Sequence, residues 1–243
     1  MQTIIVVPCY NESGRLNKEA FIQYLEKNEN VAFLFVNDGS KDDTLAMLKS
    51  LSEEHRSFFY LDVQPNGGKA EAVRQGMLYA AEQFDCEFIG FWDADLATPL
   101  WEIDNFIVQM QRGDFEMVTG LRLMRLGAGV KRKNSRHLLG RCFATVAAKM
   151  LQLPVYDTQC GAKLYCKKIV PLLFKESFTT RWLFDVELLS RYVKRFGKDA
   201  ATGKIYEYPL LEWVDVGGSQ LKFKDFFKAP YELWKIKKRY CIK

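Results

Sequence analysis

Apolar runs alternate with amphipathic stretches through the first half of the chain. Ile4–Val7, Val31–Val36, Phe58–Val63 and Phe88–Trp92 are rich in β-branched and aromatic residues. They are too continuous for half-exposed strands and suit buried strands of a parallel sheet. Between them, Phe21–Glu26 fits a short helix, and Ser40 with Asp43 reads as a capping box opening a helix through Leu51. Lys69–Gln83 is a third helical stretch, entered through the turn Asn66-Gly-Gly68. Pro99 suits the first turn of a fourth, with Glu102 and Asp104 near its positive end, and Met117–Thr119 is the fifth strand.

The second half is less regular. Residues 122–136 form a basic, Gly-containing loop, and Arg136–Leu153 reads as an amphipathic helix striped by Leu139, Phe143, Val146 and Met150. Asp157–Gly161 is a polar turn before a short strand at Lys163–Tyr165. Phe184–Phe196 is helical, Ile205–Leu210 strand-like, and Phe223–Tyr240 a basic aromatic helix. No internal repeat or flexible linker interrupts this, so the expectation is one domain over 1–221 with a basic aromatic C-terminal helix in 222–243.

Strand–helix alternation predicts an α/β fold whose ligands bind at the carboxyl ends of the strands. Tyr10-Asn-Glu12, Asn37-Asp38 and Asp93-Ala-Asp95 each follow a strand and so converge on one sheet edge. That convergence points to an enzyme or a nucleotide binder.

Composition narrows the class. The 243 residues are 48% hydrophobic and 27% charged, with a mean hydropathy of −0.18, which excludes a disordered chain. No run approaches the ~18 apolar residues of a membrane span, and the N-terminus predicts no secretory leader. The six cysteines form no C-x-x-C pair, and two histidines leave little room for Ser-His-Asp chemistry. The net charge of +5 hides an asymmetry: residues 1–121 hold 9 Lys/Arg and 20 Asp/Glu, whereas 122–243 hold 26 and 10. The basic half predicts an anionic partner, whether nucleic acid, membrane surface or phosphorylated substrate.

Asp93 and Asp95, at i and i+2 on extended backbone, point the same way. They can share a hard cation, Mg²⁺ or Mn²⁺, bridging a substrate diphosphate, although Asp95 and Thr98 also suit a helix cap. Asp38 can accept from a base or a ribose, or serve its own Asp-Gly turn. Gly67-Gly-Lys69 lacks the G-x-x-x-x-G-K-[ST] pattern, which disfavours a nucleoside-triphosphate hydrolase. Arg122, Lys131, Arg132, Lys133, Arg136 and Arg141 form a cationic stretch suited to phosphate. The aromatics and lysines of Phe223–Tyr240 suit an interfacial helix on an anionic leaflet, with core packing as the rival reading.

Val7–Glu12, Val36–Ser40, Asn66–Lys69 and Asp93–Pro99 together resemble the family 2 glycosyltransferases of GT-A fold. Asp157–Gly161, Arg181–Leu189 and Glu212–Ser219 resemble the dolichyl-phosphate β-glucosyltransferase branch, close to the mannose synthases. The resemblance implies a Rossmann-like, mixed but mostly parallel sheet flanked by helices. It implies that Pro8, Tyr10, Glu12, Val36, Asp38, Lys69, Asp93 and Ala94 bind a nucleotide sugar, UDP-glucose being favoured. Asp93 and Asp95 would hold the metal, with Arg122 beside the reacting phosphates. Arg122, Arg136 and Arg141 would take the acceptor phosphate of a polyprenyl lipid, and Asp185 and Glu187 would position the sugar, though i and i+2 point apart on a helix. Asn37 departs from the usual D-D-G, and Gly140 stands where mannose synthases carry Ser. Gln220 replaces a common Lys, leaving Lys222 as a substitute. The implied reaction is a single inverting displacement at the cytoplasmic face of a membrane, by a peripherally attached enzyme. A family 2 enzyme with another nucleotide sugar or a non-lipid acceptor is the alternative. Nucleic-acid binding leaves the acidic strand-end clusters unexplained.

Overall fold

The computed structural model describes residues 2–131, 134–216 and 223–240, with the backbone alone for 134–139 and 223–227. The elements run β1 (Thr3–Cys9), α1 (Lys18–Leu25), β2 (Val31–Asp38), α2 (Thr44–Glu54), β3 (Phe58–Val63), α3 (Lys69–Gln83), β4 (Phe88–Trp92), α4 (Glu102–Arg112) and β5 (Met117–Leu121). They continue with β6 (Gly129–Lys131), α5 (Asn134–Leu151), β7 (Ala162–Cys166), α6 (Val170–Phe174), α7 (Phe184–Phe196), α8 (Lys198–Lys204), β8 (Ile205–Pro209), β9 (Glu212–Val214) and α9 (Phe223–Tyr240).

Seven strands form one sheet in the order β3-β2-β1-β4-β7-β5-β8, and β6 pairs with β9 beside it. All pairs in the large sheet are parallel except those of β7, which runs antiparallel to both β4 and β5. This is the mixed, mostly parallel, helix-flanked sheet expected of the GT-A fold. The strand order reverses between the parallel neighbours β1 and β4, so the crevice for a ligand opens at their carboxyl ends.

Strand alternation divides the core in two. Ile5, Val7, Phe33 and Phe35 meet Phe21 of α1, Leu48 and Leu51 of α2 and Phe106 of α4 on one face. Ile4, Val6, Leu34 and Val36 meet α3, α5, α6, α7 and α9 on the other. The α9 helix turns Ala229, Leu233, Ile236 and Tyr240 inward and leaves Tyr231 and Trp234 outward, 59% and 54% exposed. Its described aromatic side chains are therefore divided between core and surface.

Two local expectations need correction. Helix α2 begins at Thr44, with Asp42 Oδ1 accepting from the Thr44 amide at 3.1 Å, because the Ser40 hydroxyl is occupied by the Asn11 amide at 3.0 Å. In α5, Val146 is 55% exposed, and the buried positions are Ala144, Ala147 and Leu151, with Phe143 and Met150 half-buried. The predicted stripe was rotated by one position, and the side chain of Leu139 lies outside the described residues.

Glu102 is fully buried in the first turn of α4, yet it serves more than the helix end. Its Oε1 accepts from the Leu211 and Glu212 amides at 2.6 and 3.2 Å, which anchors the turn into β9. Replacing it leaves these two part-buried amides without their carboxylate partner. Glu102→Ala is expected to lower unfolding stability by about 2 kcal/mol in a urea titration.

Candidate active site

A cleft of about 730 Å³ opens at the carboxyl ends of β1, β2 and β4. Pro8, Tyr10 and Glu12 reach it from the loop after β1, Asp38 from β2, and Asn66, Gly68 and Lys69 from the entry to α3. Asp93, Ala94 and Asp95 follow β4; Arg122, Arg141, Arg181 and Asp185 complete the charged wall.

The loop after β1 is pinned to the one after β2. Asn11, at φ 54°, accepts from the Lys41 amide at 2.9 Å; the Glu12 amide donates to Thr44 Oγ1 at 2.8 Å, and Ser13 Oγ to Asp42 at 2.7 Å. Asp38 holds the third loop. Its Oδ1 accepts from the Gly67 amide at 2.7 Å, and its Oδ2 from the Gly68 amide at 2.8 Å and Asn66 Nδ2 at 3.0 Å. Asp38 thus braces the distant turn before α3 rather than the Asp38-Gly39 turn in which the sequence places it.

Lys69 Nζ lies 2.5 Å from Asp93 Oδ1. Desolvation opposes the ammonium, but Asp93 outweighs it and raises the Lys69 pKa. Burial and the neighbouring charge of Asp93 raise the carboxyl of Asp95. The Asp95 Oδ1 also accepts from the Ala97 amide at 3.1 Å, a turn contact of the kind the sequence allows as the alternative role of this side chain. The donor set is two hard carboxylates whose field draws a cation, and it fits Mg²⁺ or Mn²⁺. Among the described residues no group of three or more His, Cys, Asp or Glu side chains could hold an ion.

Arg122 donates from Nε and Nη2 to Asp157 at 2.7 and 2.8 Å and stands over the Trp213 ring at 5.4 Å. Burial opposes its charge, yet Asp157 outweighs this and raises its pKa further. Arg141 donates to the Tyr156 carbonyl at 2.7 Å with its guanidinium 3.2 Å from the Tyr156 ring centre. The Tyr156 and Asp157 amides donate to Glu207 of β8, both at 2.7 Å. Asp185 is paired with the buried Lys163 at 2.9 Å. Burial pushes the Cys160 thiol up to about 11, which makes it a poor nucleophile near neutral pH.

Two expected site residues stand apart. Val36 is fully buried against Gly76 in the core and does not line the cleft, because at that strand position the side chain faces α3. Glu187 is also fully buried. It accepts from the Thr179 amide at 2.8 Å, Arg191 Nη2 at 3.0 Å and the Tyr240 hydroxyl at 2.7 Å, so it ties α7 to α9. Two residues along the helix from Asp185 place it on another side. The Arg136 side chain, Gln220 and Lys222 lie outside the described residues. Conversely, Lys163, Tyr156, Asp157, Arg181 and Trp213 were not assigned site roles. Asp157, Arg181 and Trp213 lie within motifs, whereas Lys163, in a short strand, carries no local signal.

Fold and site together define a glycosyltransferase. The model of Glycosyl transferase family 2 matches residues 4–174, and the chain belongs to that family. Dolichyl-phosphate beta-glucosyltransferase ALG5A of Trichomonas vaginalis is 30% identical over 96% of this chain and 72% of its own length. The dolichyl-phosphate beta-glucosyltransferase of Homo sapiens is 28% identical over 98% of this chain and 76% of its own. Glucosyl-3-phosphoglycerate synthase from Mycobacterium tuberculosis, solved with UDP, superposes with a TM-score of 0.68 at 17% identity, covering 100% of this chain and 81% of that one.

Gly161 permits the closest approach in the cleft: a Cβ there would lie 2.0 Å from Asp93 Oδ2. Gly161→Ala is expected to displace Asp93 and cut transferase activity at least tenfold, checked by initial rates beside a thermal melt. Tyr240→Phe removes the donor to Glu187 and is expected to cost about 1–2 kcal/mol of stability, read by chemical denaturation.

Proposed function

We propose that this enzyme transfers glucose from UDP-glucose to a polyprenyl phosphate of the dolichyl type at the cytoplasmic face of a membrane, with inversion at the anomeric carbon. The observation that carries the reading is one cleft containing the Asp93–Asp95 pair together with two arginines, Arg122 and Arg141, on separate elements. The relatives named for dolichyl phosphate and the neighbours solved with UDP-glucose and Mn²⁺ support the choice of substrates and ion.

Asp93 and Asp95 would hold Mg²⁺ or Mn²⁺, which would supply neutralising charge for a departing diphosphate. Pro8, Tyr10 and Glu12 line the nucleotide side, where the loop held by Asp38 presents Gly68 and Lys69. Arg122 and Arg141 orient the acceptor phosphate, and Asp185, fixed by Lys163, accepts from sugar hydroxyls. A phosphate monoester has a second pKa of about 6 and is already an oxyanion near neutral pH. Its oxygen forms the new bond to the anomeric carbon as the bond to UDP breaks. The step calls for orientation and exclusion of water more than for a general base.

Among the described residues no helix is long and apolar enough to cross a membrane. Outward on α9, Tyr231 and Trp234 stack at 5.9 Å, with Lys235 4.4 Å from the first ring and Lys238 5.3 Å from the second. That mixture of aromatic and cationic groups supports peripheral attachment to an anionic leaflet.

Incubation with radiolabelled UDP-glucose, short polyprenyl phosphate and Mn²⁺ or Mg²⁺ is expected to yield a lipid-linked glucose. Asp95→Asn should reduce the rate at least a hundredfold, and chelation should abolish it. Transfer only from another nucleotide sugar, or only to a soluble acceptor, would reject the reading.

A further inference from the structure

Five basic side chains that line the cleft differ in how they are neutralised. Arg15 lies 3.7 Å from Glu12, Lys69 2.5 Å from Asp93, and Arg122 2.7 Å from Asp157. Arg141 is covered by the ring and carbonyl of Tyr156. Arg181 has no carboxylate partner among the described residues. Its Nε and Nη2 donate to the Gly67 carbonyl at 3.2 and 2.8 Å, while Nη1 makes no hydrogen bond to any of them.

This guanidinium is held in place on both sides. Gly68, at φ 86°, lets it approach so closely that a Cβ at that position would lie 3.3 Å from Nε. Behind it, Thr179 is fixed by Glu187 of α7 and by Arg239 of α9, whose Nη1 donates to Thr179 Oγ1 at 2.7 Å. Its neighbour Trp182 packs on Phe143 of α5, with ring centroids 5.9 Å apart. The result is a guanidinium at the cleft wall, anchored through Nε and Nη2 and with donors left for a further acceptor, an arrangement suited to a phosphate oxygen.

The surroundings indicate which phosphate. Gly67 and Gly68 hang from Asp38, and the next residue, Lys69, pairs with Asp93. Arg181 therefore belongs to the wall carrying the strand-end carboxylates, while Arg141 belongs to α5 and Tyr156. The positive end of α3 adds to the field on the same wall. We propose that Arg181 is a donor-binding residue that contacts the diphosphate of the nucleotide sugar. This rests on the reading of the donor as a uridine-diphosphate sugar.

Calorimetric titration of the full chain and its Arg181→Gln variant with UDP and with uridine, in the presence of Mn²⁺, tests the assignment. UDP should bind the variant roughly tenfold or more weakly, uridine should bind both alike, and Arg181→Lys should recover part of the loss. In steady-state assays the KM for UDP-glucose should rise while that for the polyprenyl phosphate stays within twofold. Equal weakening of UDP and uridine would show that Arg181 merely braces the Gly67 loop and would overturn the proposal. So would unchanged UDP binding with a raised acceptor KM, which would transfer Arg181 to the acceptor phosphate. Failure of the unaltered chain to bind UDP would overturn the donor reading itself, and with it this one.

Discussion

The site depends on a backbone passing almost against a carboxylate. Strand β7 enters the sheet antiparallel beside β4, and the Asp93 amide donates to the Gly161 carbonyl at 3.0 Å. Asp93 is thereby flanked by the turn at 157–161, whose Asp157 engages Arg122. One crossing brings the acidic strand end and the basic half of the chain to a common cleft. A parallel insertion at that place would have carried the turn to the opposite edge of the sheet.

Around this crossing, buried charges are answered in detail. Lys163 is 1% exposed, donates to the Cys160 carbonyl at 2.5 Å, pairs with Asp185 and lies near the Phe91 ring. Arg191 spreads its guanidinium over the carbonyls of Leu173, Glu176 and Ser177 and the carboxylate of Glu187. Such pairs contribute little net stability over apolar packing, but losing one partner is costly. Their use here is positional. One fixes a carboxylate at the cleft wall, and the other fixes the segment that carries Arg181.

Much of the fold was legible because local signals agreed. Lys69–Gln83, Phe184–Phe196 and Phe223–Tyr240 were bounded correctly, each having periodicity and clear ends. The start of α2 was misread because Ser40 spends its hydroxyl on a loop 29 residues earlier, a contact no window of sequence contains. The strand-end carboxylates were legible since apolar runs followed by acids mark one sheet edge. Val36 and Glu187 were not, because their motifs mix residues that touch the cleft with residues that build it. The pairing direction of β7 is likewise set by distant partners, β4 and β5.

The Tyr240 hydroxyl bears on how the cleft is completed. It stands in the last described turn of α9, with burial and Glu187 holding its pKa up at about 12, so it remains a donor at any ordinary pH. Glu187 is short of one partner until that turn has docked, and Thr179 is short of Arg239 as well. The wall bearing Arg181 and Trp182 is therefore fully braced only once α9 has docked against α7. Docking of α9 and bracing of the cleft wall are in this way coupled through a single buried carboxylate.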